Sequence, residues 1–168
     1  GELLKRVGYT QGEGLMNPGG ALSNMVSMMI ARNEKDETIL NEGLRRGKFI
    51  AYTSIESHYS VRKNAGILGI GKNNVRTIKS DYLGRMDLDD LMAEIKKDLL
   101  EGNHPFYINA TAGTTVLGAF DPIDEISKVA KKYNLWLHTD GALGGSALLS
   151  QQHKHLLKGS ELSDSFTW

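Results

Sequence analysis

Short apolar runs of strand type alternate with helical patterns along this chain, and that alternation does most to limit the folds open to it. Phe49-Ile50-Ala51-Tyr52-Thr53 reads as a buried strand, 75–78 as a shorter one, 106–110 as a third and 135–140 as a fourth, and the apolar residues near 165–168 begin a fifth. Between them lie helical stretches. Residues 59–68 stop near Gly69 and Gly71. Asp87 caps a helix whose Leu88, Leu91, Met92, Ile95 and Leu99 recur at helical spacing until Gly102, with Asp90 in its first turn. Pro122 stands where a helix can begin, with Ile123, Ile126, Val129 and Ala130 as its apolar stripe. A further helix is expected over 23–33, after Asn17-Pro18-Gly19-Gly20, carrying Met25, Val26, Met28, Met29 and Ile30, and a short one over 153–158, closed by Gly159. Helical connections imply mostly parallel pairing. The expected fold class is α/β: three layers, a mostly parallel sheet with helices on both faces.

Length and charge narrow the function classes. At 168 residues the chain holds one domain or part of one. Twenty basic residues balance twenty acidic ones, so no net field favours nucleic acid or an anionic membrane. Cysteine is absent, which removes disulfides and thiolate metal sites and fits a reducing compartment. No apolar run approaches the roughly 20 residues that span a bilayer, and residues 1–8 lack the apolar centre of a signal peptide. A soluble, cytoplasmic protein is the expectation.

In an open α/β sheet, ligands collect outside the carboxyl ends of the strands. The residues that follow the strands are therefore the candidates. After the first come 54–59 with His58, after the third Thr111 to Thr115, and after the fourth Asp140-Gly141-Ala142. Asp140 ends an apolar strand, where a carboxylate is partly desolvated and can meet a charged nitrogen; it reads equally as a helix cap. His58 alone is a metal ligand, a general acid, a stacking surface or an ordinary loop histidine. The segment from Gly19 to Asn24 offers free N–H groups and a hydroxyl at a helix start, which suits a phosphate or is a plain loop. Thr114 and Thr115 bind an oxygen or close a turn. The pairs His153/His155 and His138/Asp140 lack a third ligand at sensible spacing, so no metal is expected.

Taken together, PGGALSN at 18–24, SHYSV at 57–61, NATAGTTVLGAFDP at 109–122 and LWLHTD at 135–140 resemble the group II pyridoxal-phosphate decarboxylases, over nearly the whole chain. Within that family, the order and wording of these blocks resemble the glutamate and cysteine sulfinate branch, and residues 145–150 and 155–159 lean toward the cysteine sulfinate decarboxylases. The resemblance implies the large domain of a fold-type I enzyme with pyridoxal 5'-phosphate as cofactor, decarboxylation of an acidic L-amino acid (glutamate, cysteine sulfinate or aspartate), and a homodimer. It implies that Asp140 pairs with the protonated pyridine nitrogen and that His58 stacks on one face of the ring while Ala142 packs on the other. Ser23 and the N–H groups of Ala21 and Leu22 would bind the phosphate, and Thr115 would hydrogen-bond near the ring oxygen or Asp140.

Some positions depart from the pattern. Ala21 stands where many relatives have serine, Thr139 where valine is usual, and Gly141-Ala142-Leu143 where Ala-Ala-Trp or Ala-Ala-Tyr is common. Relatives carry the cofactor-holding lysine in an Asn-Pro-His-Lys run placed after the position of Trp168. The chain therefore reads as an internal piece of the cofactor-binding domain, without the N-terminal segment, the Schiff-base lysine or the C-terminal small domain. By itself such a piece is expected to be inactive. The rivals are an inactive truncated product, another fold-type I enzyme with a different amino-acid substrate, and a phosphate-ligand binding module.

Overall fold

The computed structural model describes residues 1–44 and 47–168. In chain order it has helix α1 (Glu2–Val7), α2 (Gly20–Lys35), α3 (Ile39–Glu42), strand β1 (Phe49–Ser54), α4 (Ser60–Ile67), β2 (Val75–Ile78), α5 (Leu88–Leu100), β3 (His104–Thr111), α6 (Ile123–Tyr133), β4 (Trp136–Asp140) and β5 (Ser165–Thr167). The strands form one sheet in the order β2-β1-β3-β4-β5, and all four pairings are parallel.

Side chains alternate across the sheet, and each face has its own core. Ile50, Tyr52, Ile108, Ala110 and Leu137 meet Leu91 and Ile95 of α5 and Ile123, Ile126 and Val129 of α6. On the other face, Phe49, Ala51, Val75 and Tyr107 meet Met28 and Ala31 of α2 and Val61 and Ala65 of α4. The three-layer α/β architecture is as expected from the sequence.

Local chemistry sets the element ends. The Asp87 carboxylate accepts the N–H groups of Asp89 and Asp90 and so starts α5. Pro122 caps α6, which carries Asp124 and Glu125 in its first turn and Lys131 and Lys132 in its last, matching the helix dipole. Pro105 lies inside β3 and has no N–H to give. The pairing with β1 slips there, from Ile50–Pro105 to Ala51–Tyr107, so Phe106 is an extra residue that packs beside Tyr107 in the α2/α4 core.

Two expectations need correction. The short helix expected over 153–158 is a 3-10 helix, Lys154–Leu157, and it is one of three, with Gly145–Leu149 and Ser160–Leu162, that join β4 to β5. Helix α2 starts three residues before the expected 23 and buries a different face. Asn24, Ser27, Met28 and Ala31, spaced i, i+3, i+4 and i+7, point inward, whereas Met29 and Ile30 are exposed. Polar residues occupy the buried stripe because they bond to polar strand residues beneath them. No helix among the described residues is long and apolar enough to cross a membrane.

Candidate active site

From β1 the chain moves outward to β2, then crosses back over β1 to continue with β3, β4 and β5 on the other side. The order reverses between β1 and β3. In an open parallel sheet, the crevice outside the carboxyl ends of such strands is where a ligand fits. His58 follows β1, Thr115 follows β3 and Asp140 ends β4, so the topology brings all three segments to that edge. The start of α2 arrives there too: a Cβ added to Gly20 would lie 2.8 Å from Cβ of Ala142.

Asp140 is 5 % exposed. Its Oδ2 accepts Nδ2–H of Asn24 at 2.7 Å, and its Oδ1 accepts the N–H of Ala142 at 3.2 Å. Among the described residues it forms no ion pair. A buried carboxylate held only by neutral donors lacks a counter-cation, which is what a protonated ring nitrogen would supply.

The loop that carries Asp140 is tied on both sides. Gly141 donates to the carbonyl of Thr167, Gly144 to that of Ala112, and the carbonyl of Asp140 itself accepts the N–H of Ala112. Gly144 must be glycine here, because an added Cβ would strike the Ala112 carbonyl oxygen.

Beneath Asp140 lies a polar layer of which the sequence reading weighed only the His138/Asp140 pair, as metal ligands. His138, two residues earlier on the same strand face, is 1 % exposed. Its Nε2 lies 3.0 Å from Oδ1 of Asn24 and 3.3 Å from Oγ1 of Thr167, and its Nδ1 lies 2.8 Å from Oγ of Ser165. Ser165 also accepts Nε1–H of Trp136 at 2.8 Å and meets Oγ of Ser27 at 2.8 Å, which in turn meets the Tyr107 hydroxyl at 3.1 Å. The Tyr107 ring stacks on His138 with centroids 5.9 Å apart. Burial pushes the His138 imidazolium down to about 4, although the nearby Asp140 charge opposes the shift. Burial likewise raises Tyr107, so both groups are neutral at pH 7. One signal could have exposed this layer: His138 and Asp140 are spaced i, i+2 on one strand, and so share a face.

At the start of α2, Gly19 adopts a φ of 102°, a conformation that suits glycine. The N–H groups of Leu22 and Ser23 turn back to the Gly19 carbonyl, and the Ser23 hydroxyl lies 3.5 Å from the same oxygen. Leu22 N–H is thus engaged, whereas the helix-start N–H groups of Gly20 and Ala21 have no acceptor among the described residues. Asn64 anchors this turn by donating to the Ala21 carbonyl at 2.8 Å.

His58 is half-buried. Its Nδ1 accepts the N–H of Ser60 at 3.2 Å and its ring lies 4.3 Å from that of Tyr59. Thr115 is exposed, on the loop that closes onto β3, and no hydrogen bond joins it to Asp140; Thr114 is the buried one, its hydroxyl accepting the N–H of Ala119. Ala142 is exposed at the same edge. The fold therefore gathers Asp140, Ala142 and the α2 start closely, and sets His58 and Thr115 on neighbouring loops.

Residues 2–168 match the family described as pyridoxal-dependent decarboxylase conserved domain. The chain is 46% identical over 172 residues to cysteine sulfinic acid decarboxylase of Mus musculus, covering 99% of this chain and 35% of that protein. It is 43% identical over 168 residues to acidic amino acid decarboxylase GADL1 of Bos taurus, covering 99% of this chain and 32% of that one. The crystal structure of the mouse cysteine sulfinic acid decarboxylase in apo form superposes with a TM-score of 0.97 at 45% identity, over 98% of this chain and 35% of that one. The chain thus spans about a third of the length of these relatives.

Proposed function

The chain belongs to the pyridoxal-dependent decarboxylase family, and we propose that it is part of an enzyme that removes the α-carboxylate of an acidic L-amino acid as carbon dioxide. Glutamate, cysteine sulfinate and aspartate are the substrates in question. Kinship to a cysteine sulfinic acid decarboxylase and an acidic amino acid decarboxylase supports that class.

The residues at the sheet edge fit pyridoxal 5'-phosphate. The observation that carries the reading is Asp140, a buried carboxylate that has neutral donors on both oxygens and forms no ion pair among the described residues. When bound, the cofactor supplies a cationic conjugated ring that takes up the electron pair released as carbon dioxide leaves. Asp140 would hold the ring nitrogen protonated, since an ion pair in this desolvated site favours the charged form of both partners. The N–H groups of Gly20 and Ala21, with the Ser23 hydroxyl beside them, would hold the phosphate at the positive end of α2. His58 would cover one ring face and assist protonation of the α-carbon, and Ala142 would pack on the other. Thr115 would hydrogen-bond near the ring oxygen or Asp140.

The homodimer and the cytoplasmic location belong to the same reading. Exposed apolar residues on the loops of the site edge (Tyr59, Tyr82, Val116 and Leu143) are consistent with cover by a second subunit.

The test is to assay the full-length protein for amine and carbon dioxide release from the three acidic amino acids and from an aromatic one, with and without pyridoxal phosphate. Cofactor-dependent release from an acidic substrate supports the reading; turnover of the aromatic one alone, or none at all, overturns it.

A further inference from the structure

We infer that Asn24 and His138 are positioning residues for Asp140, joined in a one-way chain of hydrogen bonds that begins at Tyr107 and delivers its last N–H to the carboxylate. The inference rests on the role proposed above for Asp140, and it concerns residues on which that proposal made no claim.

The direction of every proton follows from one fixed end. An ionised Asp140 only accepts, so the group of Asn24 that lies 2.7 Å from its Oδ2 must be the NH2. That orientation turns Oδ1 of Asn24 toward His138, 3.0 Å away. Nε2 of the neutral imidazole must then carry the hydrogen, with Oγ1 of Thr167 as a second, weaker acceptor at 3.3 Å. Nδ1 is left bare and must accept, and the group facing it is the Ser165 hydroxyl at 2.8 Å. Ser165 spends its only hydrogen there. It therefore receives from Trp136 Nε1–H, which can only donate, and from Ser27. Ser27 in turn receives from Tyr107.

The opposite order fails at a definite point. If Nε2 were bare, Asn24 would have to flip, and its carbonyl oxygen would then face Asp140 Oδ2 across 2.7 Å in a buried site.

The chain explains why two polar side chains, Asn24 and Ser27, lie where a helix would ordinarily bury apolar ones. Neutral dipoles aligned head to tail strengthen one another in a low dielectric, and all of them aim positive ends at Asp140. They fix the plane of the carboxylate, yet bring no cation to compete with the one it is to bind. The charged and titratable groups in the chain or at its end are Asp140, Tyr107 and His138 itself.

Nitrogen NMR of histidine-labelled, full-length protein freed of cofactor tests the chain directly. His138 is expected as the Nε2–H tautomer with an accepting Nδ1, unchanged between about pH 5.5 and 8. An Nδ1–H tautomer, or titration within that range, overturns the inference. In the loaded enzyme, His138→Phe and Asn24→Leu are expected to lower kcat roughly 10–100-fold with little change in KM and to alter the pH dependence of the cofactor's visible absorbance, as when a partner that orients a functional group is lost. His138→Gln keeps a donor toward Asn24 and should restore much of the loss. Wild-type kcat in both deletions beside an inactive Asp140→Ala would refute the positioning role and leave the proposed function standing. Full activity in Asp140→Ala would instead refute the proposed function, while the tautomer still judges the chain.

Discussion

Thr139 offers a test of the packing. It sits in the middle of β4, paired with Ala110 and Phe166, and is fully buried. Its neighbours His138 and Asp140 point to the α2 face, so its own side chain stands on the α5/α6 face, which is apolar. Its Oγ1 has no hydrogen-bond partner among the described residues. Burying a hydroxyl without a partner costs about 1–3 kcal/mol. Thr139→Val replaces that oxygen with a methyl group of nearly the same size, so no cavity or clash offsets the gain, and the substitution should stabilise the protein by about 1–3 kcal/mol. Urea unfolding of the full-length protein, followed by tryptophan fluorescence with Trp136 in the same strand as reporter, should show a higher midpoint with an unchanged slope. Thr139→Ser, which keeps the hydroxyl and drops the methyl, should cost about 1 kcal/mol of stability and so lower the midpoint. A lower midpoint in Thr139→Val would mean that the hydroxyl is satisfied, and the reasoning would fail.

Acid should expose His138. Its pKa falls from 6.5 in the unfolded chain to about 4 in the fold, so the native state prefers the neutral ring; the resulting stability is fully present above pH 6.5 and is lost as pH falls toward 4, by about 3 kcal/mol. Asp121, raised by burial to about 6, works in the opposite sense over much of the same range, so the quantity to measure is the difference in pH slope between wild type and His138→Phe. Equal slopes would contradict the assignment. Gly144→Ala places a Cβ against the Ala112 carbonyl and should cost about 1–3 kcal/mol in thermal stability while weakening cofactor affinity, because the same loop carries the N–H that holds Asp140. Gly14→Ala, where an added Cβ meets nothing within 4 Å, should change neither and serves as the control.

The parallel sheet was legible because strand-type runs and helical spacings carry their periods in the sequence, and Asp87 and Pro122 mark their helix starts with unambiguous chemistry. Asp140 was legible for a similar reason: an acidic residue closing an apolar strand is conspicuous. The face of α2 was not. Met25, Met29 and Ile30 look like a core stripe, and only the tertiary partners Asp140, His138 and Tyr107 turn Asn24 and Ser27 inward instead. The helix type in the link from β4 to β5 was not legible because a 3-10 helix and a short α-helix share apolar spacing over four residues. Which donors remain open at the start of α2 depends on how Leu22 and Ser23 share the Gly19 carbonyl, a detail of backbone geometry that no side chain announces.

The most direct measurement of the central claim compares full-length wild type with Asp140→Ala for turnover of an acidic amino acid in saturating pyridoxal phosphate. A counter-ion that would keep the cofactor's ring nitrogen protonated, and so able to take up the electron pair, predicts a loss of about 10²–10³-fold in kcat, with the fold intact by circular dichroism. An Asp140→Ala enzyme that binds the cofactor and turns over at the wild-type rate would contradict it.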